Sequence, residues 1–306
     1  MQYDAIIIGG GPAGLSAALV LGRCCRRVLL CDAGQPRNAC SRGVHGFLTR
    51  DGTPPAEMLR IAREQLLCYR IEVRDIEVKA ACQHEGGFKV TLADGAAEYS
   101  RKLLVATGVK DQLPRIPGVE AFYGKSVHHC PYCDAWDWRD RPIAVYGRRK
   151  HGFGLALALK TWSGDVALLT DGPPGLNSQQ RDELARFEIP IRTDHITGLE
   201  GRDGMLERIL FADGRPLERS AMFFDTGQNQ RCNLAEQLGC IFTSRGAVKT
   251  GLREETNIPG LYVAGDASRD MQFVIVAAAE GAKAATAINM ALHDEERARR
   301  AAQNKS

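Results

Sequence analysis

This sequence predicts an α/β fold of two Rossmann-like three-layer domains, and three stretches of its 306 residues carry the prediction. Residues 5–8, Ala-Ile-Ile-Ile, are a short apolar run suited to a buried strand, and they lead through Gly9-Gly10-Gly11-Pro12-Ala13-Gly14 into a helical pattern that lasts to residue 21. Residues 142–146 repeat the strand, and Gly147 starts a turn toward an amphipathic stretch at 155–162. Residues 261–263 form a further apolar strand that ends in Ala264-Gly265-Asp266 and precedes a helical run at 276–288.

The first of these units is G-x-G-x-x-G in the strand–turn–helix setting that gives the motif meaning. Gly9 permits the tight turn, Gly11 lets a pyrophosphate approach the backbone, and Gly14 brings helix and strand together. Pro12 and Ala13 open the helix, whose N-terminus faces the phosphates. A second strand at 27–31 ends in Asp32, 18 residues beyond Gly14, where an acid binds ribose hydroxyls. A purely structural glycine turn is the bland alternative, and strand, helix and acid together weigh against it. The fingerprint alone does not separate FAD from NAD.

Cys130-Pro131-Tyr132-Cys133-Asp134 carries the second chemistry. Two thiols at i and i+3 form a disulfide/dithiol couple, and Pro131 suits the first turn of a helix whose N-terminus favours a thiolate. A C-x-x-C is also half of a zinc site, which needs a second ligand pair. His128 and His129 are too close in sequence to supply it, and Cys232 and Cys240 lack finger-like spacing. The other eight of the ten cysteines are expected as reduced thiols packed like small hydrophobes.

With 40 basic against 37 acidic residues the net charge is +3, too small for a field directed at nucleic acid. The opening Met-Gln-Tyr-Asp runs straight into the apolar strand, so a charged leader is not expected, and no apolar run is expected to span a membrane. The tail at 295–300 reads as a frayed helix end.

Gly9 to Gly14, Ala106-Thr107-Gly108, Cys130 to Asp134 and Ala264-Gly265-Asp266 follow one another in the order and spacing of the low-molecular-weight thioredoxin reductases. The chain resembles that family over nearly its whole length, and residues 115–134 resemble the family's connection into its redox-active helix. The resemblance implies a split FAD-binding domain, residues 1–114 and 244–306, with an NAD(P)-binding-like domain at 115–243 inserted into it and carrying the couple. Hinges are then expected at 114–117 and 242–246. The resemblance makes Asp266, behind Gly265, a ligand of the FAD ribityl chain, places Gln272 near the isoalloxazine end, and sets Asp32, Thr107 and Gly108 around the adenosine and pyrophosphate half. A helix N-cap is the other reading of Asp266. Cys133 becomes the thiol nearest the flavin, Cys130 the one that exchanges with substrate, and Asp134 the group that moves protons. Asp134 also suits a helix N-terminus as a simple favourable charge. His128 and His129 are candidates for proton shuttling or for ordinary hydrogen bonding, while Trp136 and Trp138 read either as a cover for the flavin or a docking groove or, the favoured reading, as packing residues at a domain junction. A thioredoxin-like protein or a small dithiol/disulfide is the implied partner, and a cytoplasmic homodimer is expected.

One part of the pattern departs from that family. In Gly147-Arg148-Arg149-Lys150-His151-Gly152 the second glycine is replaced by Arg149, whose side chain stands where a pyrophosphate meets backbone N–H groups. The next strand, 166–169, ends in Thr170-Asp171-Gly172-Pro173-Pro174, where NADPH-dependent members carry arginines for the 2′-phosphate. Either the basic trio binds phosphate by charge or the pocket is abandoned. The expected function is therefore an FAD-dependent thiol/disulfide oxidoreductase that does not use NADPH efficiently. Its pattern resembles relatives served by ferredoxin or a second flavin, and dithiol oxidases of the gliotoxin type. An NADPH-dependent thioredoxin reductase, a non-catalytic flavin redox sensor and a metal-stabilised binding protein are the alternatives.

Overall fold

The computed structural model describes residues 2–268 and 271–304. From the N-terminus the chain forms β1 (Tyr3–Ile8), α1 (Pro12–Arg23), β2 (Val28–Cys31), α2 (Pro55–Leu66), β3 (Ile71–Arg74), β4 (Val78–His84), β5 (Gly87–Leu92) and β6 (Ala97–Val105). β3, β2, β1 and β6 run parallel, and β5 and β4 continue the sheet antiparallel. The run Ala5–Ile8 is wholly buried because the sheet is covered on both faces, which is why it is apolar at every position instead of alternating. Ile6 and Ile8 enter one core with Leu29, Leu103 and Val90, whereas Ala5 and Ile7 enter the other with Leu15, Leu21 and Leu30.

The chain then passes through β7 (Val109–Asp111) into α3 (Val119–Phe122), β8 (Val127–His128), α4 (Pro131–Asp134), a 3-10 turn at Ala135–Trp138, β9 (Ile143–Tyr146), α5 (Arg149–Leu159), β10 (Val166–Leu169), α6 (Ser178–Arg186) and β11 (Ile191–Arg192). β12 (Ile196–Arg202), β13 (Met205–Phe211) and β14 (Leu217–Glu218) form an antiparallel sheet, followed by β15 (Ala221–Phe224) and β16 (Gln228–Gln230). The parallel sheet of this unit has the order β11-β10-β9-β15-β8. One of its faces packs α5 and α6 through Val145, Phe223, Ala156, Leu159 and Leu184, and the other packs the antiparallel sheet through Ala144, Met222, Phe224, Ile209 and Phe211.

Last come α7 (Leu234–Gln237), β17 (Leu261–Val263) and α8 (Val274–Gln303). β17 pairs parallel to Leu103–Val105 of β6, on the strand edge whose earlier residues pair with β5. The chain thus divides into two compact units, residues 1–37, 47–110 and 229–306 in one, and 38–46 and 111–228 in the other. The return to the first unit falls at Asn229, ahead of the residue 244 expected from sequence, because Leu234, Ala235, Leu238 and Cys240 are buried in the core that holds Ile6 and Val263. Residues 242–246, expected as a hinge, lie within that unit, where Phe242 bridges Val248.

α8 differs from expectation twice. It is long and apolar enough to cross a membrane by length and composition, which the sequence reading did not foresee. Its Ala277, Gly281, Ala284 and Ile288 nevertheless lie buried against α1, and the approach is so close that a Cβ on Gly281 would come 2.8 Å from the Ala13 carbonyl carbon. Its last turns are helical, not frayed: Glu295 pairs with Arg101 at 2.8 Å and with Lys102, and Glu296 pairs with Arg26 at 2.5 Å and Arg101 at 3.0 Å. The expected packing of free cysteines holds for Cys31 and Cys240 and fails for Cys24, Cys25, Cys40, Cys68 and Cys82, which are exposed.

Candidate active site

In the first unit, four motifs far apart in sequence follow four parallel strands, and so end up along one edge of the sheet. Gly9 to Gly14 follows β1, Asp32 follows β2, Thr107-Gly108 follows β6, and Gly265-Asp266 follows β17. The carboxyl ends of parallel strands are where open α/β sheets bind ligands. Gly9 has φ +112° and lies against Ala106, so that a Cβ would come 2.7 Å from the Ala106 carbonyl carbon. Gly14 is closed off by the Gly9 carbonyl, 3.1 Å from its carbon to an added Cβ. Gly11, by contrast, faces open space, where an added Cβ would meet nothing within 4 Å among the described residues, and as N-cap of α1 it leaves the first-turn N–H groups without a side-chain cap. Pro12 and Ala13 begin α1, and Ala13 also touches the Gly265 turn. The geometry is a cradle that is tight underneath and open above.

The acids around this edge are already engaged. Asp32 accepts from Arg63 at 2.5 Å and from the Gly34 N–H at 3.1 Å. Asp266 accepts from Arg37 at 2.7 Å, and the same guanidinium donates to Gln272 at 2.6 Å. The N-cap of α8 is Phe273, so Asp266 does not cap that helix. Glu280, 5% exposed on α8, accepts from the Gly265 N–H at 2.8 Å and fixes the turn that presents Asp266. Sequence reasoning missed Arg37, Arg63 and Glu280. Nothing local marks them: their roles come from residues up to hundreds of positions away.

In the second unit, Cys130 and Cys133 are joined as a disulfide with their Cα atoms 5.3 Å apart. Cys130 caps the short α4 and its Sγ accepts from the Cys133 N–H at 3.2 Å. That donor favours a thiolate on Cys130 once the bond opens. Asp134 makes no side-chain cap bond, and faces buried His128, with Nδ1 3.3 Å from Oδ1. Trp138 is buried and donates to His128 Nε2 at 3.1 Å, whereas Trp136 is 63% exposed and has Arg139 over its ring, contrary to the packing expected of it. His129 lies near Tyr123 Oη and Asp111, so it belongs to a different cluster from His128.

The second glycine-rich turn keeps half of its design. Gly147 and Gly152 still lie against each other, with an added Cβ on Gly147 2.8 Å from Gly152 Cα, as close strand–helix packing requires. Arg149 sits at φ +53°, a left-handed conformation natural to the glycine it replaces. Its N–H, the kind of donor such a loop offers to phosphate, is given to the Pro174 carbonyl at 2.8 Å. Arg148 donates from Nε to the Thr170 carbonyl at 2.5 Å and from Nη2 to the Asp171 carbonyl. Asp171 accepts from the Ile196 N–H and His195 Nδ1, each at 2.8 Å. The turn after β10 is thus folded over the mouth of the glycine loop.

A family model described as pyridine nucleotide-disulphide oxidoreductase matches residues 3–281. The chain belongs to that family. It is 32% identical to a probable thioredoxin reductase of Arthroderma benhamiae, covering 88% of this chain and 75% of the relative. Among solved structures it resembles the putative thioredoxin reductase TrxB of Bacillus anthracis, with 33% identity, TM-score 0.92, and 96% and 100% of the two chains covered. It also resembles the structure of HlmI, with 35% identity, TM-score 0.95, and 100% and 98% covered. As a thioredoxin reductase-like member of the pyridine nucleotide-disulphide oxidoreductases, the protein is a flavin-dependent disulfide oxidoreductase with FAD as its cofactor. The two Rossmann-like units agree with that assignment.

Proposed function

We propose that the protein exchanges electrons between FAD and the Cys130–Cys133 couple, and onward with a thioredoxin-like protein or a small dithiol/disulfide, with NADPH a poor donor. The observation that carries the donor assignment is the closed mouth of the second glycine loop. The Arg149 N–H is spent on Pro174, and the Arg148 guanidinium on the carbonyls of Thr170 and Asp171, so neither faces a pyrophosphate. Opening the site requires breaking those bonds as well as moving the Arg149 side chain. A ferredoxin or a second flavin is the remaining class of electron partner.

The residues of the first unit fit FAD. Gly9, Gly11, Pro12, Ala13 and Gly14 offer uncapped helix N–H groups above an open Gly11 for the pyrophosphate. Asp32 stands at the ribose position, Thr107 and Gly108 flank the pyrophosphate half, and Gly265, Asp266 and Gln272 serve the ribityl and ring end, where Arg37 holds both side chains in place. When bound, the flavin would supply the redox partner with which the couple exchanges its two electrons. Cys130 exchanges with substrate, Cys133 is the thiol on the flavin side, and Asp134 moves the proton. Five exposed free cysteines fit a reducing compartment, in keeping with a cytoplasmic setting, and a homodimer is the expected assembly.

NADPH-dependent thioredoxin reduction is the second reading, favoured by the retained close approach of Gly147 and Gly152 and by the family's name. Anaerobic titration with dithiothreitol tests the first. Dithiothreitol is expected to bleach the wild-type flavin, and Cys133→Ser to keep the yellow colour while losing that bleaching. Equal bleaching of the variant would remove the couple from the route.

A further inference from the structure

The couple has a buried neighbour that the proposed chemistry does not yet use. His128 ends β8, is 5% exposed, and lies between Phe223 of β15, with ring centroids 5.3 Å apart, and Trp138. The indole nitrogen of Trp138 can only donate. Since it points at His128 Nε2 from 3.1 Å, Nε2 is the unprotonated nitrogen and the neutral ring carries its hydrogen on Nδ1. Nδ1 is the atom that faces Asp134, 3.3 Å from Oδ1.

We infer that His128 is a positioning residue for the disulfide exchange: held as the Nδ1–H tautomer by Trp138, it orients the Asp134 carboxyl that passes a proton to the couple. This deepens the proposed function, because it rests on Asp134 being the proton carrier. Both His128 and Asp134 line a pocket of about 230 Å³ in the second unit, which gives the proton a way to solvent. The charged groups facing that pocket are Arg42 and His45 from the 38–46 segment, Lys125 ahead of β8, and Asp137 and Arg141 around the 3-10 turn. His45 and Asp137 are themselves 3.5 Å apart.

The step balances without an added oxidant. An incoming thiol gives its proton to the Asp134 carboxylate, and its thiolate forms a new S–S bond to Cys130 as the Cys130–Cys133 bond breaks. The electron pair of the broken bond stays on the Cys133 sulfur, which takes the proton back from Asp134. With the Nδ1–H that faces it removed, the Asp134 carboxyl loses the group that orients it toward the couple, and the exchange slows.

The test is the rate at which dithiothreitol opens the disulfide in the intact flavoprotein, quenched with N-ethylmaleimide and counted by mass. Trp138→Phe keeps the ring and deletes the N–H; His128→Phe deletes both contacts; His128→Asn returns an amide donor toward Asp134. The exchange rate is expected to fall by about tenfold in His128→Phe. Trp138→Phe is expected to lower it by less, and His128→Asn to restore it partly. Imidazole nitrogen NMR of the wild type is expected to show the hydrogen on Nδ1. Unchanged rates in both Trp138→Phe and His128→Phe, with Asp134→Asn strongly altered, would overturn the positioning role alone. An unaltered rate in Asp134→Asn would instead remove Asp134 as proton carrier, and this inference with it. A variant that unfolds is replaced by the NMR result, where hydrogen on Nε2 contradicts the proposal.

Discussion

Gly11 and Gly14 lie three positions apart in one motif, yet the structure separates their roles, and replacing each gives opposite signatures. Gly11 has φ −77° and ψ −177°, extended backbone that valine adopts without strain, and an added Cβ meets nothing within 4 Å among the described residues. Gly11→Val should therefore fold, losing up to about 1 kcal/mol for a poorer N-cap. Its branched side chain fills the space over the α1 N-terminus and denies the phosphates about two charge-assisted bonds of at least about 1.5 kcal/mol each. The sum, about 3 kcal/mol, corresponds to about a hundredfold weaker flavin binding. Gly14→Ala instead drives its Cβ into the Gly9 carbonyl and to 3.3 Å from Ile7 Cγ2, an overpacking that costs about 1–3 kcal/mol or more. The assay is flavin content after desalting, FAD affinity of the stripped proteins by fluorescence quenching, and urea unfolding of each. Gly11→Val should be flavin-poor and nearly as stable as wild type, and Gly14→Ala measurably less stable. Full flavin occupancy in Gly11→Val would refute the assignment of the open face to the pyrophosphate.

Two further outcomes follow from the packing and the charges. Arg149→Gly relieves a left-handed arginine, a strain of about 1–3 kcal/mol partly offset by the entropy of the new glycine, so chemical denaturation should find the variant at least as stable as wild type; it should also respond faster to NADPH, and a loss of stability would contradict the strain. Glu296 is held down to about 2 by hydrogen bonds from Arg26 and then Arg101, below its ordinary 4.5, so the stabilisation it brings is present above pH 4.5 and is lost as pH falls through about 2. Glu296 is 36% exposed, which limits that stabilisation to about 0.2–1 kcal/mol, and Glu296→Gln should show a deficit of that size near neutral pH that closes in acid. A deficit unchanged across that range would mean the contact is not ionic.

The parts legible in sequence were those whose cause is local. A wholly apolar strand, a glycine turn and a helix opened by Pro12 lie within one short stretch, and the structure places β1 and α1 there. Cys130-Pro131 likewise carries its own helix start, seen as the N-cap of α4. What the sequence could not show depends on partners brought in by topology. The α8 tail reads as frayed until Arg26, Arg101 and Lys102 meet it. Asp266 reads equally as a cap until Arg37 is found on it and the helix starts at Val274. Trp136 and Trp138 are alike in sequence, two positions apart, and only the turn of a 3-10 helix buries one and exposes the other. The closure over Arg149 was half visible, since the lost glycine could be read and the Pro174 carbonyl that takes its N–H could not.

Anaerobic stopped-flow bleaching of the flavin by NADPH and by dithiothreitol tests the central claim most directly. With the Arg149 N–H and the Arg148 guanidinium committed to the turn after β10, NADPH should reduce the flavin slowly and without saturation, while dithiothreitol reduces it through Cys130 and Cys133. Rapid, saturable reduction by micromolar NADPH would show that the turn opens and that this is an ordinary NADPH-dependent reductase.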